Sequence, residues 1–524
     1  MNMTESETLA AALLSYWRSG LSDNPAAQDE AHIIETHISW LILVGSRAYK
    51  LKKPVNLGFI DCSTLHKRRF YCQEEIRLNR RTAPGIYIDV MSVSGSPEMP
   101  LPGDAQSPID YLVAMKRFPP NSLMLDMARS GALSAPLISR LARVIADFHQ
   151  KVCSPNDMDN PFGEAEDIMG PVLENFRHIN ALKQKSVSPD QMKNLADWTR
   201  NQFIQKQSVF IRRKQAGHIR ECHGDLHLGN IFVDNGQPVL FDCIEFNPQL
   251  RWIDTVSDMA FTVMDLESHN FQALAHQLVN EYLEYLGDYE ALFLLRFYKS
   301  YRAMVRAKVA AIQATQKQTH QAPFIEKCAA HLRLAESYMK SRQPVLIICC
   351  GLSGTGKTTI ARRLVLATGA IQIRSDIERK RLHGLGPLAN SELSGANIYS
   401  EEASEKTFAY LEKLATMILD AGYSVIVDAT FIEQKLRSRF LAIAESKALP
   451  SLIVHTISSE DTCKIRLQNR RQDASEAGYQ QYLAQSAKFE AFTDEERALV
   501  VQVDTENESA IKKGLQEAAL RIHP

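Results

Sequence analysis

Two rhythms of apolar residues run along this chain, and they change over in its last third. Residues 1–20 place apolar side chains at three- and four-residue intervals, which predicts an amphipathic helix. Short strand-like runs follow at 38–44 and 48–53, parted by Gly45-Ser46-Arg47. Residues 65–81 are rich in Arg and Glu and read as a helix, and 87–92 and 111–116 read as two more strands. Together they predict a small β-rich lobe with one prominent helix. Residues 136–152 carry a clear helical period ending in Asp147-Phe148-His149-Gln150-Lys151, and the helical pattern runs to about residue 335 with one interruption at 222–247. Pro344 disfavours any continuation of that last helix. Residues 345–350 then form an unbroken apolar run, as expected of a strand buried on both faces. Further apolar runs at 424–427 and 452–455 alternate with helical stretches, the order of a doubly wound α/β domain. The patterning predicts two domains, α+β over 1–338 and α/β with a parallel sheet over 344–524.

Bulk properties narrow the function classes. A chain of 524 residues has room for two to four domains at roughly 100–200 residues each. Its 45% hydrophobic and 23% charged content is ordinary for a globular protein. A formal net charge of −1 excludes a global basic field for nucleic acid and leaves only a local groove. The nine cysteines include no C-x-x-C pair, and Cys349 and Cys350 fall inside the apolar run. That usage suits a reducing compartment. The acidic N-terminal segment is not a secretory signal, and no apolar stretch approaches the ~20 residues of a membrane span. The expected location is the cytoplasm, without a membrane partner.

The interruption at 222–247 concentrates chemistry. It contains His223-Gly224-Asp225-Leu226-His227-Leu228-Gly229-Asn230. Phosphoryl transfer from ATP needs a carboxylate to accept the acceptor's proton and two side chains to hold metal. Asp225 fits the base, and Asn230 at D-x-x-x-x-N spacing fits one metal ligand. Asp242, ending the run Val239-Leu240-Phe241, fits the other. A lysine for the ATP phosphates belongs on an early strand, paired with a helix glutamate. Lys50 and Lys52 share a face of one candidate strand, because strand side chains alternate. Lys50 is favoured over Lys52, with Glu75 as its partner. The adenine hinge is expected at Val113-Ala114-Met115-Lys116, with Met115 lining the cofactor site.

This ordered set resembles the aminoglycoside phosphotransferase and choline kinase superfamily, which shares the protein-kinase fold. The resemblance covers about 30–335. It implies ATP and Mg²⁺ as cofactors and small-molecule hydroxyl acceptors. Arg251-Trp252-Ile253-Asp254-Thr255-Val256-Ser257-Asp258 resembles the Asp-bearing helix that follows in that family, where Asp254 and Asp258 would be structural or acceptor-site residues. The sequence departs from the pattern in having no glycine-rich phosphate loop: only Gly45 interrupts the first two strands.

A second phosphate motif follows the strand at 345–350. Gly351-Leu352-Ser353-Gly354-Thr355-Gly356-Lys357-Thr358 is a complete Walker A loop, with Thr359 next in line. Its glycines let backbone N–H groups curl around phosphates, Lys357 reaches the β/γ oxygens, and Thr358 offers its hydroxyl to Mg²⁺. Asp428, at the end of the next apolar strand, fits the Walker B metal ligand. Asp376 and Arg379 form a D-x-x-R pair after the second predicted strand, which resembles the acceptor site of small P-loop kinases for gluconate, shikimate and polynucleotide 5′-hydroxyls. That resemblance implies Asp376 as base and Arg379 as a clamp on an anionic acceptor. Residues 463–471 resemble a kinase lid helix, with Arg466 and Arg470 on one face. Either Arg470 or Arg471 would then meet the charge on the transferring phosphoryl group.

The whole chain resembles bacterial proteins that fuse an aminoglycoside-phosphotransferase-like kinase to a polynucleotide- or gluconate-kinase-like P-loop domain. The leading reading is a bifunctional kinase. One alternative keeps only the P-loop kinase active beside a regulatory pseudokinase. Another is a nucleotide-operated switch, which Asp376 argues against because a switch needs no acceptor base. Nucleic acid is a possible acceptor only at the C-terminal site.

Overall fold

Six antiparallel strands build the first lobe: β1 (His32–Glu35), β2 (Ser39–Val44), β3 (Arg47–Lys52), β4 (Tyr87–Gly95), β5 (Pro100–Pro102) and β6 (Asp110–Lys116), in the order β1-β2-β3-β6-β4-β5. The computed structural model describes the chain except residues 20–30, 37, 57–59, 153–160, 182–186, 317–320, 392–397, 471–472 and 523–524. Val44 pairs with Arg47, so a two-residue turn of Gly45 and Ser46 joins β2 to β3. Gly45 takes φ +53°, the left-handed region that a turn this tight needs. Alternation along β3 sends Ala48 and Lys50 to one face and Tyr49 and Leu51 to the other. The first face packs against Cys72 and Ile76 of the helix Leu65–Asn79. The second meets Leu9, Ala10 and Leu13 of the helix Met3–Ser19.

The kinase-type loop lies between two short two-stranded sheets. The strands β7 (Ile219–Glu221) and β10 (Trp252–Asp254) pair, as do β8 (Ile231–Asp234) and β9 (Gln237–Leu240). Between these pairs, residues 222–230 and 241–251 form the loops that carry Asp225, Asn230 and Asp242. The helix Thr255–Ser268 runs beneath them.

Five parallel strands form the second sheet: β11 (Leu346–Cys350), β12 (Ile371–Arg374), β13 (Val425–Asp428), β14 (Ser451–Ile457) and β15 (Val500–Asp504), in the order β12-β13-β11-β14-β15. Its central strand is fully buried, as its unbroken apolar run predicts. The P-loop leaves the end of that strand and enters the helix Lys357–Thr368.

Close contacts divide the chain into two units, Met1–His178 with Gln207–Asp265, and Ile179–Lys206 with Leu266–Pro524. This differs from the division expected between 338 and 344. Part of the segment 266–338 covers the edge strand of the parallel sheet. The helix Gln272–Leu286 supplies that cover: Asn280 Oδ1 accepts the outward N–H of Gln372 on β12 at 2.7 Å. His276 closes over Gly369, where a Cβ would lie 2.8 Å from the imidazole.

Candidate active sites

In the first unit, one helix holds the catalytic loop at three points. Asp258 accepts the backbone N–H groups of His223 and Gly224, both at 2.9 Å. Thr262 donates its hydroxyl to the Leu226 carbonyl at 2.7 Å, and Asp265 accepts from Leu228 N at 2.9 Å. The spacing 258, 262, 265 is one helical face. His149 adds its ring at 3.2 Å from Asp258. Asp254 is paired with buried Arg213 at 2.7 Å. Both acids that sequence left as structural or acceptor-side residues bond to the loop or to Arg213.

The loop so held brings the expected groups together. Asn230 Nδ2 donates to Asp225 Oδ2 at 3.1 Å, which orients the carboxylate. Lys50 Nζ lies 3.0 Å from Glu75 Oε1 and 2.6 Å from Asp242 Oδ1. Burial alone would lower the Lys50 pKa, but Asp242, Glu75 and Glu245 outweigh it and hold the ammonium well above its usual range. Lys52 on the same face pairs with Glu75 at 2.6 Å and with buried Glu245. Against its burial, the two lysines pull the Glu75 carboxyl below the usual range. Glu245 was missed by sequence reasoning, because nothing local marks a residue whose partner lies on β3. Asp242 sits at φ +64°, a strained conformation for a non-glycine residue, with its N–H donated to the Tyr87 hydroxyl at 3.1 Å.

The adenine hinge needs one correction. Residues 113–115 are laddered to β3 on one side and to β4 on the other, so their backbone is spent. Met115 contributes a buried side chain only, on the Ala48 face. Past the strand, Phe118 stacks on Phe232 at 4.8 Å and meets Phe241 at 5.2 Å. Those rings, distant in sequence, were not singled out by motif.

In the second unit the P-loop is shaped by its glycines. Gly351 takes φ +147°, and a Cβ there would lie 2.6 Å from the Thr456 carbonyl oxygen. Gly354 and Gly356 both take φ +88°. Arg466 clasps the loop from behind, donating to the Gly354 carbonyl at 3.3 Å and to Thr505 Oγ1 at 2.9 Å. Thr355 Oγ1 lies 2.8 Å from Thr456 Oγ1, and Ser353 N donates to Gln485 Oε1 at 2.8 Å. Lys357 turns its ammonium back to the Leu352 carbonyl at 2.8 Å. Burial lowers the Lys357 pKa, with Asp428 and Asp376 pulling the other way. Thr359 is exposed on the first helical turn.

A magnesium ion fits this end of the sheet. Thr358 Oγ1 donates to Asp428 Oδ2 at 2.7 Å, so the two oxygens expected to hold the ion already meet. Buried Gln372 donates to the same carboxylate at 2.9 Å, while its Oε1 has no hydrogen-bond partner. An orphaned buried oxygen beside a carboxylate and a hydroxyl suits the water shell of a hard cation.

Asp376 and Arg379 stand on the helix Ser375–Leu382 that leaves β12. The Arg379 guanidinium lies over the Tyr399 ring at 4.9 Å, with its buried Nε unbonded. The lid reading needs correction at Arg470: the helix ends at Gln468, so Arg466 and Arg470 do not share its face. Arg470 instead donates to the Ala477 carbonyl at 3.1 Å and faces Asp473 at 3.6 Å. Asp473 also accepts from Arg374 at 3.0 Å. Arg471 lies outside the described residues. Among the described residues, no helix is long and apolar enough to cross a membrane.

A kinase-type catalytic loop on one unit, and a P-loop facing a strand-end carboxylate on the other, define the class as phosphotransferase. Matches to family models agree: residues 103–295 match the phosphotransferase enzyme family, and residues 346–492 match an AAA domain. Uncharacterised proteins of Mycobacterium tuberculosis and Mycobacterium bovis are 30% identical over 422 residues, 80% of this chain and 82% of theirs. The chain belongs to the family of these mycobacterial proteins. Among solved structures, a choline/ethanolamine kinase family protein from Mesorhizobium loti is 10% identical, covering 62% of this chain and 94% of its own, with a TM-score of 0.37. A gluconokinase from Sinorhizobium meliloti is 16% identical, covering 35% and 98%, with a TM-score of 0.25.

Proposed function

We propose that the protein is a bifunctional kinase that transfers the γ-phosphate of ATP to hydroxyl groups of small molecules at two sites. One observation carries the reading at the second site. Five charged side chains stand on the helix Ser375–Leu382, and three are paired internally: Glu378 with Arg381, and Lys380 with Glu476. Among the described residues, Asp376 and Arg379 make no hydrogen bond or ion pair, and Arg379 only lies over the Tyr399 ring. A free carboxylate and a free guanidinium on one face, close enough to Lys357 for Asp376 to bias its titration, are what an acceptor would need. Asp376 would take the hydroxyl proton as the acceptor oxygen bonds to the γ-phosphorus and the bond to the β–γ bridging oxygen breaks. Arg379 would hold an anionic group of the acceptor, a metabolite or a polynucleotide 5′-end. Lys357 and Arg470 would meet the charge on the transferring group. Thr358 and Asp428 would hold Mg²⁺, which would supply charge neutralisation at the phosphates.

At the first site Asp225 would be the base, Lys50 the phosphate lysine, and Asn230 and Asp242 the residues that hold Mg²⁺. The Asn230 side chain spends its N–H groups on Asp225, and among the described residues nothing donates to its oxygen. A second reading, in which the first site is a regulatory pseudokinase, draws on the two-residue β2–β3 turn, which offers no glycine-rich cover for phosphates.

Silencing one site at a time in the full chain tests the proposal. Asp225→Asn and Lys357→Ala are compared for ADP release across amino sugars, choline, gluconate, shikimate and a 5′-hydroxyl oligonucleotide. Each variant should lose a different set of acceptors. If Asp225→Asn costs no activity with any acceptor, the first site is silent and the pseudokinase reading stands.

A further inference from the structure

The proposed base and clamp of the second site stand on a helix of only eight residues, too short to be stable alone. It packs on the helix Glu401–Asp420, and residues 272–291, ahead of the P-loop, hold it by side-chain bonds. The Tyr289 hydroxyl donates to Glu378 Oε1 at 2.9 Å, and both side chains are buried. The other Glu378 oxygen accepts from Arg381. Arg381 donates in turn to the Glu284 carbonyl, at the C-terminal end of the helix Gln272–Leu286, where a cation is favourable. Its side chain lies over Gly287, where a Cβ would come within 2.7 Å of the Arg381 Nε. Asn280 holds the strand that leads into the acceptor helix, through Gln372 N at 2.7 Å. Arg374, directly before the helix, faces Glu284 at 3.9 Å.

At 100° per residue, Glu378 and Arg381 share the face opposite Asp376 and Arg379. One face of the helix is therefore bolted down by side chains of 272–291 while the other is left free for an acceptor. We infer that the segment 272–291 is a positioning element of the second acceptor site, with Tyr289 and Asn280 setting the aim of Asp376 and Arg379. The inference rests on the reading of Asp376 as the base. It places part of the P-loop kinase's working parts before residue 344, and a domain cut there lacks them.

The test uses the full chain with Asp225→Asn, and slow hydrolysis of Mg·ATP, in which water replaces the unidentified acceptor. Water's oxygen bonds to the γ-phosphorus, the bond to the β–γ bridging oxygen breaks, ADP leaves, and the proton goes to Asp376. Tyr289→Phe should lower kcat about tenfold, the scale of a lost hydrogen bond to a buried carboxylate, with KM for ATP within about twofold. Added to Asp376→Asn, it should cost nothing further, because it acts through that residue. In hydrogen exchange, Tyr289→Phe and Asn280→Ala should each speed the amides of 375–382 about tenfold and leave 357–368 unchanged. Multiplying effects of Tyr289→Phe and Asp376→Asn, or unchanged exchange at 375–382, would overturn the inference. If Asp376→Asn lowers hydrolysis and Tyr289→Phe does not, only the positioning role falls. If Asp376→Asn itself has no effect, the base reading falls and the positioning role with it.

Discussion

Methionine at Lys50 or at Lys52 should separate the phosphate lysine from the structural one. Sequence ranks Lys50 above Lys52 only by neighbouring residue types, and both reach Glu75, but their surroundings differ. The Lys52 side chain is 2% exposed, and its partners Glu75 and Glu245 are 0% and 4% exposed. Lys52→Met takes the lysine from buried Glu245 and leaves Glu75 with Lys50. Removing one partner of a buried pair costs about 3–5 kcal/mol, which for a unit of this size lowers Tm by roughly 6–20 °C. The Lys50 side chain is 13% exposed and its second partner, Asp242, is 40% exposed and open to water. Glu75 also keeps Lys52 when Lys50 is lost. Lys50→Met should therefore cost only about 1–2 kcal/mol of stability. Its effect should fall on nucleotide binding: one charge-assisted contact to phosphate, about 1.5–3 kcal/mol, is roughly 10–150-fold in ATP affinity. The assay is calorimetric titration with Mg·ATP and thermal unfolding, in a Lys357→Ala background so that only the first site reports. A Lys52→Met protein that melts normally but no longer binds ATP, beside a Lys50→Met protein that still does, would refute the assignment.

Three other substitutions probe different parts of the chain. Gly351→Ala should abolish nucleotide binding at the second site and spare the first, because the new methyl would meet the Thr456 carbonyl at 2.6 Å in a backbone conformation that L-residues avoid; fluorescent-nucleotide titration of the Lys50→Met and Lys357→Ala backgrounds checks it. Asp428→Asn should raise the Mg²⁺ concentration for half-maximal second-site activity about tenfold or more, read from a magnesium titration, since a carboxylate is exchanged for a neutral oxygen. Burial, helped by Arg437, lowers the His455 pKa to about 4 from 6.5. The fold thus favours the neutral ring, so the stability it contributes is complete above pH 6.5 and drains away as pH falls toward 4. His455→Phe, which keeps the aromatic contacts to Phe489 and Phe492, should gain Tm relative to the parent at pH 5 but not at pH 8; an equal change at both would remove the imidazole from the account.

What the sequence made legible was local. Asp225 and Asn230, or Gly351 to Thr358, are motifs because backbone geometry over a few residues brings those groups to one place. The strand runs were legible for the same reason, since burial on both faces leaves an unbroken apolar string at 346–350. Lys50 could be ranked above Lys52 only by neighbouring residue types, and the Asp242 contact that distinguishes it spans 192 positions. Arg470 was placed on a helix by extending an i, i+4 pattern two residues past the Gln468 terminus.

The helices of 266–338 illustrate the deeper limit. A helical period says that a face will be buried, never against what. The pattern up to residue 335 runs on from the first catalytic loop, and proximity in sequence assigned it to that domain. Yet the parallel sheet ends in an edge strand, β12, whose outward N–H groups need partners, and Asn280 on one of those helices supplies one. The same helix then supplies the Glu284 carbonyl that holds Arg381, whose side chain holds Glu378. None of these residues belongs to a phosphate motif, because what they recognise is an edge strand and a short helix. The domain boundary drawn from composition and the boundary drawn from packing differ by some seventy residues for this reason.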